Sequence, residues 1–161
     1  MSNIVLSLYP NSRGMGYACI EKPAKLLDSG IITIKPPSNE KILKRVRKFV
    51  EYFKPTIVIL RDFPKFTTYR GRRLEMLLHD IVKIAEEKKI PIHRYGRQQI
   101  RDVFEIAGAS TKYEISQKLI EQFPILASRA PRVRKLWMDE DYNMGIFDAV
   151  SLAITHQYLT E

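Results

Sequence analysis

Three short apolar segments, separated by turn-forming residues, open this chain and constrain its fold most strongly. The segments are rich in Ile, Leu, Val and Tyr and cover residues 4–9, 15–22 and 30–35. Asn-Ser-Arg-Gly follows the first segment and Asp-Ser-Gly leads into the third, as is typical of turns between neighbouring strands. The pattern therefore predicts three consecutive strands joined as a meander.

The rest of the chain alternates helical and strand patterns. From Glu40 to Phe53, apolar residues recur at helical spacing with basic residues on the opposite side. Thr56 to Leu60 is a continuous apolar run, as in a strand covered on both faces. The remaining predicted elements are a helix over 70–89, a strand over 91–95, and helices over 97–106, 112–123 and 146–159.

This order, βββαβαβααα, predicts an α/β fold with a mixed sheet of about five strands and helices on both faces. A length of 161 residues with 45% apolar content suits one domain, 1–161, with its own core. Segment 127–143 is charged and is predicted to be irregular.

Charge and composition narrow the class of partner. The 27 Lys and Arg residues exceed the 18 Asp and Glu residues, which favours polyanionic partners, although a lysine-rich soluble surface would give the same balance. Cys19 is the only cysteine, which excludes an intramolecular disulfide and a cysteine-rich zinc site. No apolar run approaches the roughly 20 residues of a membrane helix. We therefore expect no membrane association and a cytoplasmic location, at the nucleoid in a prokaryote.

The first turn carries a resemblance to a known family. The segment Ile4 to Ala18 reads IVLSLYPNSRGMGYA. It resembles the opening of the RuvC-type Holliday junction resolvases, an RNase H-like family with an apolar run, Asp-Pro-Gly-Ser-Arg and then Gly-Tyr. In that family the Asp binds Mg²⁺. Tyr9 stands at its position, and a phenol is a poor ligand for a hard cation.

Two further motifs resemble the family while changing its acids. The family has a Glu at the end of the fourth strand. The matching segment here runs from Pro55 to Arg61, so that Arg61 stands in place of the Glu. The last family helix carries two Asp three residues apart, and the matching positions are Gly145 and Asp148. Of the four acids that bind metal in the family, the resemblance therefore leaves only Asp148 as a catalytic candidate, and we expect no metal site.

The resemblance also implies a nucleic-acid surface. The family motif Gly-x-Ala-x-Lys, which lies along the DNA channel, is matched where Lys112 follows Gly108, and Arg97 and Arg101 precede it. The loop after the fourth strand mixes cations with aromatic residues, a mixture suited to phosphate contacts and base stacking. The residues predicted to bind nucleic acid are Arg13, Arg61, Lys65, Phe66, Arg70, Arg97, Arg101 and Lys112.

The residues themselves favour a polyanionic partner, and the resemblance implies a catalytically degenerate protein that binds duplex DNA or branched DNA such as a four-way junction, without a cofactor. Arg61 would grip a phosphate with Asp148 orienting it, or the two would form a plain ion pair in a vacated pocket. The helix over 70–89 carries much apolar surface, and in the resolvases the matching helix forms a dimer interface, so a homodimer is expected.

Two other functions remain open. One is an active Mg²⁺-dependent endodeoxyribonuclease that uses Asp148, Asp62 and acids from 139–141. The simpler interpretation is that the acids from 139–141 belong to a solvated loop, where their negative charge is favourable near a helix N-terminus. The other is a structural subunit that docks a protein partner and shows little salt-dependent affinity for DNA.

Overall fold

The structure, a computed structural model, describes residues 3–62, 69–134, 137–138 and 140–160, without side-chain placement for 69 and 70. Within these ranges, no helix combines the length and apolar character needed to cross a bilayer. The strands are β1 Ile4–Pro10, β2 Gly14–Glu21, β3 Lys25–Thr33, β4 Ile57–Arg61 and β5 Ile92–Tyr95. The helices are α1 Asn39–Phe53, α2 Tyr69–Glu87, α3 Arg97–Glu105, α4 Lys112–Gln122 and α5 Met144–Thr160, with a short 3-10 helix at Pro124–Arg129.

The five strands form one mixed sheet in the order β3-β2-β1-β4-β5. The first three strands pair antiparallel, as the predicted meander requires, whereas β4 lies parallel to both β1 and β5. The predicted α/β architecture is therefore confirmed. It puts β1 at the centre, where hydrogen bonds on both edges fix the positions of its side chains.

Side chains alternate between two cores across this sheet. Leu6 and Leu8 of β1 point to the side covered by α1 and α2. Val5 and Tyr9 point to the other side, which α3, α4 and α5 cover. Because successive strand residues face opposite sides, every second residue of β1 and β4 meets α5. This alternation decides which side chains can reach the functional site.

The apolar residues of α2 belong mainly to the interior of the chain. Leu77, Leu78, Ile81 and Ile84 are buried in the core between α2 and the sheet. Burial within the chain thus accounts for the apolar pattern that suggested a dimer interface. A homodimer remains a prediction that this helix does not support by itself.

Two boundaries differ from the sequence-based expectation. The third strand begins at Lys25 rather than at residue 30, because residues 25–29, which mix two leucines with polar side chains, also pair along β2, with a register shift. Residues 127–129, which were predicted to be irregular, instead form the end of the 3-10 helix. This helix is anchored by the buried side chain of Leu126. Edge pairing and a single buried side chain leave weak sequence signals.

Candidate functional site

The ends of two parallel strands form the floor of the candidate site. Leu8 pairs with Leu60 in the β1–β4 register, so the next residues, Tyr9 and Arg61, are neighbours at the carboxyl edge of the sheet. Both lie on the side of the sheet that α5 covers, because each is one residue beyond a side chain facing α1 and α2. Two of the positions at which the resemblance expects an acid are therefore side by side.

Tyr9 and Arg61 are stacked. The guanidinium carbon of Arg61 lies 4.3 Å from the centre of the Tyr9 ring, within the range of a cation–π contact. Nη1 of Arg61 also donates a hydrogen bond of 2.8 Å to the carbonyl of Pro10. Burial raises the pKa of the Tyr9 phenol, and the charge of Asp148 raises it further, so Tyr9 is neutral at pH 7. Burial lowers the pKa of Arg61, yet a guanidinium keeps its charge in proteins.

Asp148 forms its ion pair with Lys112. The Lys112 ammonium lies 3.3 Å from Oδ2 of Asp148 and 3.1 Å from Oε2 of Glu140, so it bridges two carboxylates. Among the described ion pairs, Asp148 is therefore joined to Lys112, whereas the sequence suggested Arg61. Arg61 remains near enough for its charge and that of Asp148 to interact.

The two sides of the lysine bridge respond differently to burial. Asp148 is 4% exposed, and burial raises the pKa of its carboxyl above the ordinary value, with the Lys112 charge opposing this. Burial lowers the pKa of Lys112, but the charges of Asp148 and Glu140 outweigh that effect and hold it above its ordinary value. Burial thus outweighs charge for Asp148, whereas charge outweighs burial for Lys112. The difference follows from exposure, because the Lys112 side chain keeps 30% of its surface in solvent. Desolvation therefore affects both groups and is decisive only for the Asp148 carboxylate.

Local sequence positions Lys112 at the start of α4. Thr111 caps the helix by accepting a hydrogen bond from the amide of Glu114, and the Glu114 carboxylate accepts one from the amide of Thr111. This reciprocal capping box fixes the first turn of the helix. The first helical residue, Lys112, is thereby held above the end of the sheet.

The turn after β1 forms the near wall. Oδ1 of Asn11 accepts hydrogen bonds from the amides of Arg13 and Gly14, the local bonding that makes Asn common in tight turns. Nη2 of Arg73 reaches the carbonyl of Ser12 at 3.5 Å. The turn holds the exposed Arg13 beside the floor of the site.

These groups enclose a cavity of about 270 Å³. We call it the strand-end cavity. Its described lining residues are Tyr9, Asn11, Ser12, Arg13, Ile31, Arg61, Lys112, Glu140, Asp141, Tyr142, Gly145 and Asp148. It combines three predicted cationic contacts with the retained acid, and it includes all three positions where the resemblance expects an acid that this chain lacks.

Two more predicted phosphate contacts lie along α3. Arg97 is half-buried at the first position of α3, and its charge influences the pKa of both Tyr9 and Asp148. Arg101 is exposed one helical turn further on, on the same side of the helix. The two residues extend the cationic surface away from the cavity.

The other predicted contacts cannot be placed. Lys65 and Phe66 lie outside the described residues, as does Asp139, and Arg70 has no described side chain. Asp62 is exposed, and the described lining of the strand-end cavity includes Arg61 but not its neighbour.

The family resemblance implies bound Mg²⁺, which the residues present do not fit. A pair of divalent ions needs several oxygen ligands converging on it. Here the buried Asp148 and its neighbour Glu140 are joined by an ammonium, and Asp141 is joined to Arg132 at 3.4 Å. Across the parts of the chain with assigned positions, no group of three or more His, Cys, Asp or Glu side chains is arranged to hold an ion.

Sequence reasoning missed the role of Glu140. It considered this residue only as a substitute metal ligand or a solvated acid, whereas the structure pairs it with Lys112 across 28 residues of chain. No short-range pattern indicates such a pair. The Asn11 turn, in contrast, has a local signature in Asn-Ser-Arg-Gly and was predicted from it.

Comparisons with known proteins agree with this architecture. A scan against protein-family models gave no match, and neither did a comparison with curated sequences. Among solved structures, Thermus thermophilus RuvC bound to a Holliday junction substrate matches with a TM-score of 0.73 at 16% identity, covering 98% of this chain and 94% of that one. A second Thermus thermophilus RuvC structure gives 0.72 at 18% identity with the same coverages. The yeast mitochondrial Holliday junction resolvase Ydc2 gives 0.63 at 11% identity, covering 95% and 77%. The chain therefore has the RuvC-type RNase H-like fold.

Proposed function

We propose that this chain binds DNA through the strand-end cavity and the cationic surface beside it, and that it does not cleave DNA by a two-metal mechanism. The observation that carries the proposal is the exchange at the ends of β1 and β4. A neutral Tyr9 and a cationic Arg61 stand side by side where the resemblance expects a pair of acids.

Replacing two acids by Tyr9 and Arg61 changes the floor of the cavity from a surface that attracts cations to one that attracts anions. Two acids at these positions would attract divalent cations, whereas a guanidinium attracts a phosphate and can bind two of its oxygens at once. Arg13 and Arg97 add positive charge on two sides. We assign the main phosphate contact to Arg61 rather than to Lys112, because a guanidinium can bind two phosphate oxygens at once whereas an ammonium acts as a point charge.

The active-nuclease alternative receives less support. Of its proposed substitute ligands, Asp62 is exposed, and Asp141 accepts a hydrogen bond from the amide of Asn143 in the turn that precedes α5. Glu140 is held by Lys112. A metal pair at Asp148 would have to displace this ammonium and lie beside Arg61, at an electrostatic cost.

Support for branched DNA as the ligand comes from the comparison with RuvC bound to a Holliday junction substrate. The residues themselves favour a phosphate-rich ligand, and the excess of 27 basic over 18 acidic residues agrees with that. The proposal therefore includes four-way junctions as the preferred form, and the homodimer stays a separate prediction.

The test is the affinity of Arg61→Ala for a fluorescent four-way junction, measured over a series of salt concentrations. Loss of one charged phosphate contact should weaken binding about ten-fold. It should also reduce the slope of log K against log salt by about one. Lys48→Ala is the matched control, because Lys48 is an exposed cation on α1, on the other side of the sheet.

The control separates a specific site from a generally basic surface. The proposal requires Lys48→Ala to bind nearly as well as the original protein. Equal losses in both variants would mean that the charge acts without the strand-end cavity, and the proposed site would be wrong.

A further inference from the structure

A second cavity lies next to the strand-end cavity. Its volume is about 390 Å³, within the range of small-ligand pockets. Val133, Met144 and Tyr113 contribute its apolar wall, and Arg132 and Arg134 lie at its rim. We call it the α4–α5 cavity, since α4 and α5 both begin at its wall.

The two cavities share a wall. Lys112, Glu140 and Asp141 line both of them. The Lys112 to Glu140 ion pair, at 3.1 Å, therefore separates a polar space, whose floor carries the Arg61 guanidinium, from a larger and more apolar one. A ligand with a charged part and a flat apolar part could occupy both spaces at once.

A nucleotide has this division of chemistry. Its phosphate carries the charge, and its base presents a flat face that packs on aromatic and apolar side chains once it is unstacked. Arg134 and Arg132, of which Arg132 also pairs with Asp141 at 3.4 Å, place positive charge beside the apolar wall, which suits the phosphates on either side of such a base. Charge complementarity and the shared wall therefore identify one occupant.

We propose that the α4–α5 cavity holds one unstacked base of the DNA strand whose phosphate is bound at Arg61. The proposal rests on the proposed function, because it assumes a phosphate in the strand-end cavity. It adds a base-binding subsite that would favour distorted or branched DNA, in which removing a base from the stack costs less than in a regular duplex.

The test combines a change in the protein with a change in the DNA. Val133 is 63% exposed, so Val133→Asn should alter the cavity wall without unfolding the chain, and thermal unfolding checks this. The DNA is a four-way junction with a single abasic residue placed in turn at each position next to the branch point. Ile106→Asn is the control, since Ile106 is 69% exposed and lines a different surface, formed by α3 and the end of α5.

We expect one abasic position to weaken binding by the original protein about ten-fold, as for loss of one stacked base. Val133→Asn should weaken binding to the intact junction and show no further loss at that position, because the two changes remove the same contact. Ile106→Asn should retain the whole ten-fold loss.

Three results would overturn the inference. If every abasic junction binds within about two-fold of the intact one while Arg61→Ala still weakens binding, the base subsite is wrong and the phosphate site stands. If the losses from Val133→Asn and from the abasic residue simply multiply, the cavity does not contact that base. Failure of the original protein to bind the intact junction would reject the proposed function and this inference together.

Discussion

At the scale of single residues, the stacked pair of Tyr9 and Arg61 determines the chemistry of the site. Tyr9 is 6% exposed and neutral, and it supports a guanidinium at 4.3 Å. An aromatic face stabilises a cation and restricts its conformations, which favours binding of an anion over binding of a metal. The retained Asp148 then serves as the counter-charge of Lys112.

Restoring the family's acids should restore a cation site. We predict that the triple variant Tyr9→Asp, Arg61→Glu and Gly145→Asp gains thermal stability when Mg²⁺ or Mn²⁺ is added, because a ligand that binds only the folded state stabilises it. A side chain fits at Gly145, where the nearest atoms to an added Cβ belong to Ile31 at 3.6 Å. Thermal unfolding with and without the ions measures the shift.

The original protein is the control and should show no comparable shift. A rise of similar size in both proteins would mean that the ions bind elsewhere. A triple variant that folds but does not respond would mean that these positions do not converge on one site.

The buried carboxyl of Asp148 predicts a pH-dependent stability. Because burial raises its pKa, the folded protein holds this proton more tightly than the unfolded chain does. The resulting stabilisation is complete below the ordinary pKa of 3.8 and is lost as pH rises through the raised value. Asn has no such proton, so Asp148→Asn should match the original protein at low pH and be more stable at pH 7.

Urea unfolding at a series of pH values measures this difference. A variant that is less stable than the original at pH 7 would show that the Lys112 bridge outweighs the burial of the carboxylate.

At the scale of secondary-structure elements, one close contact sets the position of α5. A methyl group at Gly16 in β2 would collide with the carbonyl of Gly145 in α5, so only glycine allows the helix to approach the sheet here. The approach brings the start of α5, and with it Asp148, to the end of β1.

Substitution at these two glycines should have opposite consequences. We predict that Gly16→Ala lowers the free energy of unfolding by roughly 1–3 kcal/mol, because the overlap must be relieved by moving backbone. Gly145→Ala should be neutral or stabilising by up to about 1 kcal/mol, since its added Cβ makes ordinary contacts within a helix. Chemical denaturation compares them, and equal losses would contradict the described approach of α5 to β2.

The same scale shows what sequence could predict. Sequence patterns predicted each of the five helices and five strands found among the described residues, and motif order placed Tyr9 and Arg61 at strand ends that the register makes neighbours. It could not predict which cation pairs with Asp148, because Arg61 and Lys112 are both near and the choice depends on side-chain packing. The α4–α5 cavity depends equally on packing between elements distant in sequence.

At the scale of the whole molecule, the fold gathers charges from distant segments onto one side. Arg13, Arg61, Arg97 and Lys112 come from different parts of the chain and meet around the end of β1. The net charge of +9 adds long-range attraction for a polyanion. The homodimer is also a prediction at this scale, and sedimentation with and without DNA measures it.

The most direct test of the central claim is one titration of the purified protein against a four-way junction and a matched duplex, scoring binding and strand cleavage in Mg²⁺, in Mn²⁺ and in chelator. We predict binding that is tighter to the junction, that persists in chelator, and that is not accompanied by cleavage under any of these conditions. Cleavage that requires the metal and disappears in Asp148→Asn would contradict the account. The absence of both activities would favour the structural-subunit alternative instead.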